Sequence, residues 1–107
     1  GNHERDFTYI EDVVKIIDKI IFKKFNNHKI YNICSSKPLN ILKILNLFNN
    51  KNQINVKFIK KHNADILKTH GENKKIRTQL NFKKFTNFYS VYEKVFLWYK
   101  LKKIYKK

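Results

Sequence analysis

One stretch near the start of the chain decides the fold, Arg5-Asp6-Phe7-Thr8-Tyr9-Ile10-Glu11-Asp12. Its aromatic and β-branched centre favours a short extended segment. Thr8 and Glu11 are spaced as a capping box, which predicts that a helix begins here with two acidic residues at its positive end. Arg5 is one of only two arginines among 24 basic residues. Its guanidinium is either a planar fork for a diphosphate or half of a surface pair with Asp6 or Glu11.

Length and composition indicate an ordered domain or part of one. A chain of 107 residues with 42% hydrophobic residues can bury a core, which argues against disorder. The sequence has no methionine, even at position 1. We therefore expect that the chain has been processed or has been cut from a longer polypeptide, and we favour the second explanation.

The net charge of +16 is the usual sign of a nucleic-acid or anionic-membrane partner. Lysine, however, supplies 22 of the 24 basic residues, and Asn, Ile, Phe and Tyr are abundant. All of these residues have codons rich in A and T, so base composition accounts for the charge without a selected partner. A small lysine-rich nucleic-acid-binding module remains an alternative hypothesis for the function.

Cysteine usage and hydropathy favour the cytoplasm. The single Cys34 allows no internal disulfide, which is typical of a reducing compartment. No apolar run approaches the ~20 residues that span a bilayer, and the start of the chain has no signal-peptide pattern. We expect no membrane association.

Hydrophobic periodicity predicts an α/β arrangement in the order β-α-β-α-β-α-α. The first helix places its apolar residues from Val13 to Ile21 on one face, and Asn40 caps the second helix. A short helix is predicted over 72–80, and Thr86 is predicted to cap the last one. The remaining strands are predicted at 29–33 and 54–59.

No complete catalytic or metal site is visible. The four histidines are scattered and the lone cysteine is far from them, so no zinc spacing occurs. Tyr99 and Lys103 have the spacing of a dehydrogenase acid/base pair, but they lie in a lysine-saturated helix without a Gly-rich loop before it. We interpret that pair as coincidence.

The irregular stretch over 60–71 is the better place for a binding site, because binding residues concentrate on such loops. It contains His62, Asp65, Thr69 and His70. The Asp65 carboxylate can accept two vicinal hydroxyls of a sugar, or it can simply cap a turn.

Five segments, taken together, resemble the NAD-dependent nucleotide-sugar epimerases and dehydratases, the extended short-chain dehydrogenase/reductase family. The stretch Arg5 to Asp12 resembles the family's R-D-[FY]-[TI]-[YH]-[VI]-x-D, and Tyr31 to Leu39 its Y-N-[IL]-G-x-[GN]-x-P-[VL]. The later segments are similar to its G-D-x-x-x-T, E-L-G-[WY] and F-x-x-W-Y: Ala64-Asp65 with Thr69, Gln79 to Phe82, and Phe96 to Tyr99. The UDP-glucuronate and UDP-glucose 4-epimerase branch is the most similar.

The resemblance implies a C-terminal fragment of such an enzyme. Residues 1–39 would form an edge helix and strand of the dinucleotide-binding Rossmann sheet, and residues 40–107 a small α/β substrate-binding domain. By motif position Arg5 would contact the diphosphate of a UDP-sugar and Asp65 the ribose, with His62 as a further diphosphate contact. By resemblance the parent would be a homodimer and would use NAD in making surface-polysaccharide precursors. This chain alone would bind no NAD, because the catalytic Tyr-x-x-x-Lys and the Gly-rich loop would lie upstream.

The sequence departs from the family pattern mainly at glycines. Cys34, Ser36, Ala64 and Asn81 stand where the family has glycine, and Glu72 where it usually has aspartate. A side chain at a position of positive φ is strained, so remodelled substrate loops are expected. The third hypothesis is that the chain is an inactive remnant of an epimerase.

Overall fold

The computed structural model describes residues 2–49 and 55–101, which form four helices and one small sheet. The strands are β1, Glu4–Asp6, and β2, Pro38–Asn40. The helices are α1, Ile10–Ile21; α2, Ile41–Asn49; α3, Lys74–Gln79; and α4, Phe88–Leu101.

The two strands pair antiparallel, with Arg5 opposite Leu39. A third segment runs beside β1 in the parallel direction, where the Glu4 amide donates to the Leu67 carbonyl (2.8 Å) and the Thr69 amide to the Glu4 carbonyl (3.1 Å). β1 is therefore bonded on both edges.

The core lies between the inner side of α1, α3 and the segment that follows α3. Ile16 and Ile76 are fully buried at its centre, and the buried residues around them are Leu80, Phe82 and Phe85. Ile20, Phe25, Tyr31 and Ile33 pack against this cluster. This buried cluster therefore joins α1 to residues that lie more than fifty positions further along the chain.

The apolar face predicted for α1 divides into two halves. Ile16 is buried and Val13 and Ile20 are half-buried. A second row, which we call the outer stripe, is exposed and consists of Ile10, Val14, Ile17 and Ile21. Steps of four, three and four residues place this row on one line along the helix. Only half of the predicted apolar face therefore packs within the described chain.

Two of the predicted helix caps are wrong and one is confirmed. Asn40 caps α2, since its Oδ1 accepts the amides of Leu42 (2.9 Å) and Lys43 (3.3 Å). Helix α1 instead begins after Tyr9, which makes no side-chain cap bond. The capping box with Thr8 does not form, because the Glu11 carboxylate is bonded to Tyr9 and Lys94.

Helix α4 begins after Asn87 rather than Thr86. The Asn87 Oδ1 accepts the Tyr89 amide (2.9 Å) and its carbonyl accepts the Ser90 amide (3.1 Å). Thr86 does not cap the helix, because both its amide and its hydroxyl bond to Asp12.

The predicted strands at 29–33 and 54–59 are not formed by the residues that the structure describes, and Ile54 lies outside them. A strand needs a neighbour to accept its ladder bonds. Within the described chain the carbonyl of Ile30 accepts the Lys75 ammonium instead (2.6 Å). The observed order is β-α-β-α-α-α. The Rossmann edge and the division at residues 39 and 40 stay predictions.

Two of the four positions where glycine is replaced adopt left-handed backbone. Ser36 has φ 58° and Asn81 φ 50°, and no other non-glycine residue in the described ranges has positive φ. Cys34 and Ala64 do not share this conformation. The expected strain therefore falls on two of these positions.

No helix within the described residues combines the length and apolarity that crossing a membrane requires.

Candidate functional site

Arg5 lies half-buried in the centre of β1, with no carboxylate partner in the part of the chain that the structure describes. Its Nη1 donates to the carbonyls of Glu4 (2.8 Å) and Leu67 (3.3 Å). Within residues 2–49 and 55–101 no acid comes within ion-pair distance of it. The alternative surface pair is therefore wrong, because Asp6 and Glu11 have other partners. The remaining donors of the guanidinium can serve an external anion.

His62 and Asp65 form one exposed turn. The His62 amide donates to the Asp65 Oδ2 (2.9 Å), and the Asp65 amide donates to the His62 carbonyl (3.0 Å). The carboxylate thus caps a turn, which was one of its two predicted roles. Its Oδ1 makes no bond within the described chain and can still accept from a ligand.

A hydrogen bond to the ring of His62 determines which ring nitrogen can act as a donor. Its Nδ1 accepts the Ala64 amide (3.2 Å). Nδ1 is then unprotonated in the neutral ring, so Nε2 carries the hydrogen and can donate it.

The fold brings this turn close to Arg5. The Arg5 guanidinium touches the carbonyl of Leu67, two residues after Asp65. Two peptide units span at most about 7 Å, so the Cα of Asp65 lies within about 13 Å of the Arg5 Nη1. Arg5 is therefore bonded to the segment that follows the turn, although it lies 57 and 60 positions from His62 and Asp65 in sequence.

Asp6 is the residue that sequence reasoning missed. Its Oδ1 accepts the Ser35 hydroxyl, and its Oδ2 accepts the amides of Ser36 (3.0 Å) and Gly71 (3.2 Å). Its own amide donates to the Thr69 hydroxyl (3.0 Å). We call this set of bonds the Asp6 junction. Its only sequence signal is an acid inside the Arg5 stretch, because the partners are 29 to 65 residues away.

A second layer of bonds closes the Asp6 junction. The Ser36 hydroxyl donates to the Gly71 carbonyl (2.7 Å) and accepts the Asn73 amide (3.1 Å). The buried Asn73 side chain donates to the Cys34 carbonyl (2.9 Å). These bonds hold Ser36 in its left-handed conformation, so its hydroxyl compensates for a backbone that favours glycine.

Residue 71, where the Asp6 junction meets Cys34, has no room for a side chain. A Cβ added at residue 71 would lie 2.5 Å from the Cys34 Sγ and 2.9 Å from its Cβ. The cysteine occupies space that a glycine at residue 34 would leave open.

Asp12, the last acid of the Arg5 stretch, is buried and joins α1 to the start of α4. Its Oδ2 accepts the Thr86 amide (2.6 Å) and its Oδ1 the Thr86 hydroxyl (2.9 Å). Both oxygens are satisfied, so Asp12 is a structural residue of this fold.

An exposed cluster of charges lies beside the same helix end. The Lys94 ammonium lies 2.6 Å from the Glu11 Oε1, which also accepts the Tyr9 hydroxyl (2.7 Å). The hydrogen bond from Lys94, followed by that from Tyr9, lowers the pKa of Glu11, and the bond to Glu11 raises the pKa of Lys94. This cluster links α1 to α4 at the surface.

An open apolar groove of about 420 Å³ lies between α2, α4 and the segment before α1. Seven aromatic residues line it: Phe7, Tyr9, Phe48, Phe88, Tyr92, Phe96 and Tyr99. The predicted inner face of α4 therefore faces this groove, and no residue of α4 is buried. Lys103, the partner of Tyr99 in the dehydrogenase-like spacing, lies outside the described residues.

A polar depression of about 620 Å³ lies at α3 and is lined by Glu72, Lys74, Arg77, Thr78 and Lys83. Glu72 is held there because its Oε1 accepts the Lys74 amide at the start of α3 (2.7 Å). Three cations and one engaged carboxylate make this depression positive.

Comparison with known proteins gives one informative relative. An uncharacterized protein of Methanocaldococcus jannaschii is 35% identical to this chain over 85 residues, which are 78% of this chain and 26% of that protein. The chain thus spans about a quarter of the length of the curated relative it matches. No family model and no solved structure matches the chain.

Proposed function

We propose that this chain is the C-terminal, UDP-sugar-binding portion of an NAD-dependent nucleotide-sugar epimerase or dehydratase. The observation that carries the proposal is Arg5, a half-buried arginine that has no carboxylate partner among the described residues and that bonds to the segment just after the turn of His62 and Asp65. A nucleoside diphosphate combines the two chemistries that these residues recognise, a double anion and a pair of vicinal hydroxyls.

Each residue has a separate role in the proposal. The free donors of Arg5 bind phosphate oxygens by charge-assisted bonds. The Asp65 carboxylate accepts the ribose hydroxyls, and the His62 Nε2 donates a further bond to the diphosphate. Hydride transfer to NAD would belong to the preceding portion of the polypeptide, so this chain supplies affinity and not redox chemistry.

The outer stripe of α1 supports a place beside a larger body. Its four apolar side chains are between 44% and 66% exposed. Exposed apolar residues in a continuous row mark a surface that packs against another protein surface. A Rossmann sheet in the same polypeptide, the body that the resemblance implies, would cover this row. The quarter-length match to the archaeal relative agrees with a larger parent.

The test uses the full-length gene product and isothermal titration with UDP and a UDP-sugar. Arg5→Ala removes charge-assisted bonds of about 1.5–3 kcal/mol, so affinity should fall about tenfold to a hundredfold. Asp65→Ala should weaken UDP binding as well. Arg77→Ala is the matched control, because it removes the other arginine and should leave the affinity unchanged.

Two results would contradict the proposal: no measurable UDP affinity in the full-length protein, or an Arg5→Ala protein that binds as well as the parent. A stable fold without any UDP-sugar affinity would identify an inactive remnant.

The polar depression at α3 favours one alternative, a nucleic-acid-binding module. Lys74, Arg77 and Lys83 surround it, and cations so grouped bind phosphate backbones. That function predicts RNA or DNA affinity that falls steeply with salt and weakens in Arg77→Ala. The response to Arg77→Ala separates the two functions, since UDP-sugar binding should not depend on Arg77.

A further inference from the structure

The side chain of Asp6, the residue beside Arg5, accepts three hydrogen bonds, whereas the Arg5 side chain donates two. Asp6 accepts three hydrogen bonds and donates a fourth, to partners in two other segments. A carboxylate saturated by internal donors has little capacity left for a ligand. Asp6 is therefore not a ligand-contacting residue.

The partners of Asp6 are the segments that carry the candidate site. Gly71 and Thr69 end the loop that contains His62 and Asp65, and Thr69 also donates its amide to β1. Arg5 precedes Asp6 in the same short strand, so a bond that fixes Asp6 also fixes the backbone of Arg5.

We propose that Asp6 is a positioning residue for diphosphate binding, which holds the loop that ends at Gly71 against the strand that carries Arg5. This inference rests on the proposed function. The Arg5 side chain meets the loop through a single 3.3 Å bond to the Leu67 carbonyl. Two backbone bonds of Glu4 also join β1 to this segment, and the Asp6 junction adds the side-chain bonds that keep the approach in place.

Asp6 differs from Asp12 in what it joins, which provides a matched control. Both are aspartates of the same stretch, and both accept a backbone amide and a hydroxyl. Asp12 joins α1 to the start of α4 and has no partner in the loop. Loss of either carboxylate should lower stability, but only loss of Asp6 should release the loop.

The experiment compares Asp6→Ala, Asp6→Asn and Asp12→Ala in the full-length gene product, below the unfolding temperature of each variant. Titration with UDP and with UMP measures the affinity, and hydrogen exchange of the Ser36 and Gly71 amides measures the junction. Asp6→Ala should accelerate both amides and weaken UDP at least tenfold, with a smaller loss for UMP, because Arg5 is placed for a diphosphate. General loosening of the fold would weaken both ligands equally.

Asp6→Asn is the conservative rescue. Its amide oxygen can accept both backbone amides, and its NH₂ can donate to the Ser35 hydroxyl after that hydroxyl rotates. UDP affinity and exchange should therefore stay within about threefold of the parent. Asp12→Ala should leave the UDP-to-UMP affinity ratio unchanged.

Ser35→Ala removes one bond of the junction, and it replaces Asp6→Ala in the experiment if that variant does not fold. It should lower UDP affinity by a smaller factor and accelerate the Ser36 amide. Unchanged UDP affinity in a variant with accelerated exchange would overturn the positioning role. If the parent protein binds no UDP while its Ser36 and Gly71 amides are protected, the proposed function fails and the junction itself stands.

Discussion

The Asp6 junction and the outer stripe of α1 lie a few residues apart in sequence and differ in how they are satisfied. In the junction each oxygen of the carboxylate has a donor, and no buried side-chain nitrogen or oxygen in the described ranges lacks a partner. In the outer stripe four apolar side chains remain about half exposed. The described chain thus satisfies its buried polar side chains internally but leaves apolar surface uncovered.

This difference has an energetic reason. A buried polar group without a partner costs about 1–3 kcal/mol wherever it lies, so polar junctions have to be closed within the fold. An exposed apolar side chain only forgoes the gain of burial, which a second surface can supply later. The outer stripe and the apolar groove are therefore where we expect contacts with the rest of the proposed parent.

Neighbouring isoleucines on α1 give the largest expected contrast. Ile16 is 0% exposed and Ile17 is 44% exposed. In the 107-residue chain Ile16→Ala should cost about 3–4 kcal/mol of unfolding free energy, as deletions in packed cores do. Ile17→Ala should cost less than about 1 kcal/mol. Urea denaturation of the two variants measures both values.

The same pair tests whether the stripe is covered. In the full-length gene product Ile17→Ala should cost more than in the 107-residue chain, whereas the cost of Ile16→Ala should not change. Equal costs for the two substitutions in the short chain would mean that α1 does not pack on the face described above.

Gly71→Ala breaks the close approach inside the Asp6 junction. The new Cβ would lie 2.5 Å from the Cys34 Sγ, so the chain must shift at about 2 kcal/mol, within the range of overpacking. Cys34→Gly removes both atoms that the Cβ would meet. In the double variant Gly71→Ala should therefore cost much less, and a thermodynamic cycle of the four proteins measures this coupling. Additive costs would show that the steric contact does not set the requirement for glycine.

Asn81→Gly should stabilise the chain by about 0.5 kcal/mol. Asn81 has φ 50°, which glycine adopts without strain, although the added freedom of the unfolded chain offsets part of the gain. Asn32→Gly is the control, because residue 32 does not have positive φ and glycine should only destabilise it. Thermal unfolding of both variants provides the comparison, and a loss of stability in Asn81→Gly would contradict it.

Ser36 shows why a positive φ alone does not predict the outcome. Its hydroxyl makes two of the bonds that close the Asp6 junction. Ser36→Gly would relieve the strain of the backbone but would remove both bonds. We expect no gain of stability there, in contrast to Asn81.

Helices α1, α2 and α4 were predictable from sequence because each carries at least two turns of periodic apolar residues, whereas α3 has only one apolar residue, Ile76. The bounds of α2 and α3 lie within two residues of the predicted ones, and Asn40 is the cap. Strands β1 and β2 have three residues each, too few for alternation to show. The segment at 29–33 has strand-like residues, yet pairing depends on a neighbour that local sequence does not contain.

The candidate site was only partly predictable for a related reason. Arg5, His62 and Asp65 were selected by resemblance, and the pairing of β1 with the segment around Leu67 joins Arg5 to the loop that contains the other two. The Asp6 junction depends on partners in two distant segments. No spacing rule connects Asp6, Ser36 and Gly71, so this part of the site required the structure.

The smallest expected effect is the pH dependence of the exposed link between α1 and α4. The hydrogen bonds from Lys94 and Tyr9 lower the pKa of Glu11 below its ordinary value of 4.5. A carboxyl whose pKa is lower in the folded state adds stability above the unfolded-state value, and this stability is lost as pH falls through the folded-state value. The parent should therefore be more stable than Glu11→Gln at neutral pH, and the difference should shrink as pH falls below 4.5 and through the lower folded-state pKa. Lys94→Gln should show the same dependence, and added salt should reduce it, because the pair is solvent-exposed. Urea denaturation between pH 3 and 7 measures the difference, and a gap between parent and Glu11→Gln that does not shrink as pH falls would show that Glu11 acts through packing rather than through its charge.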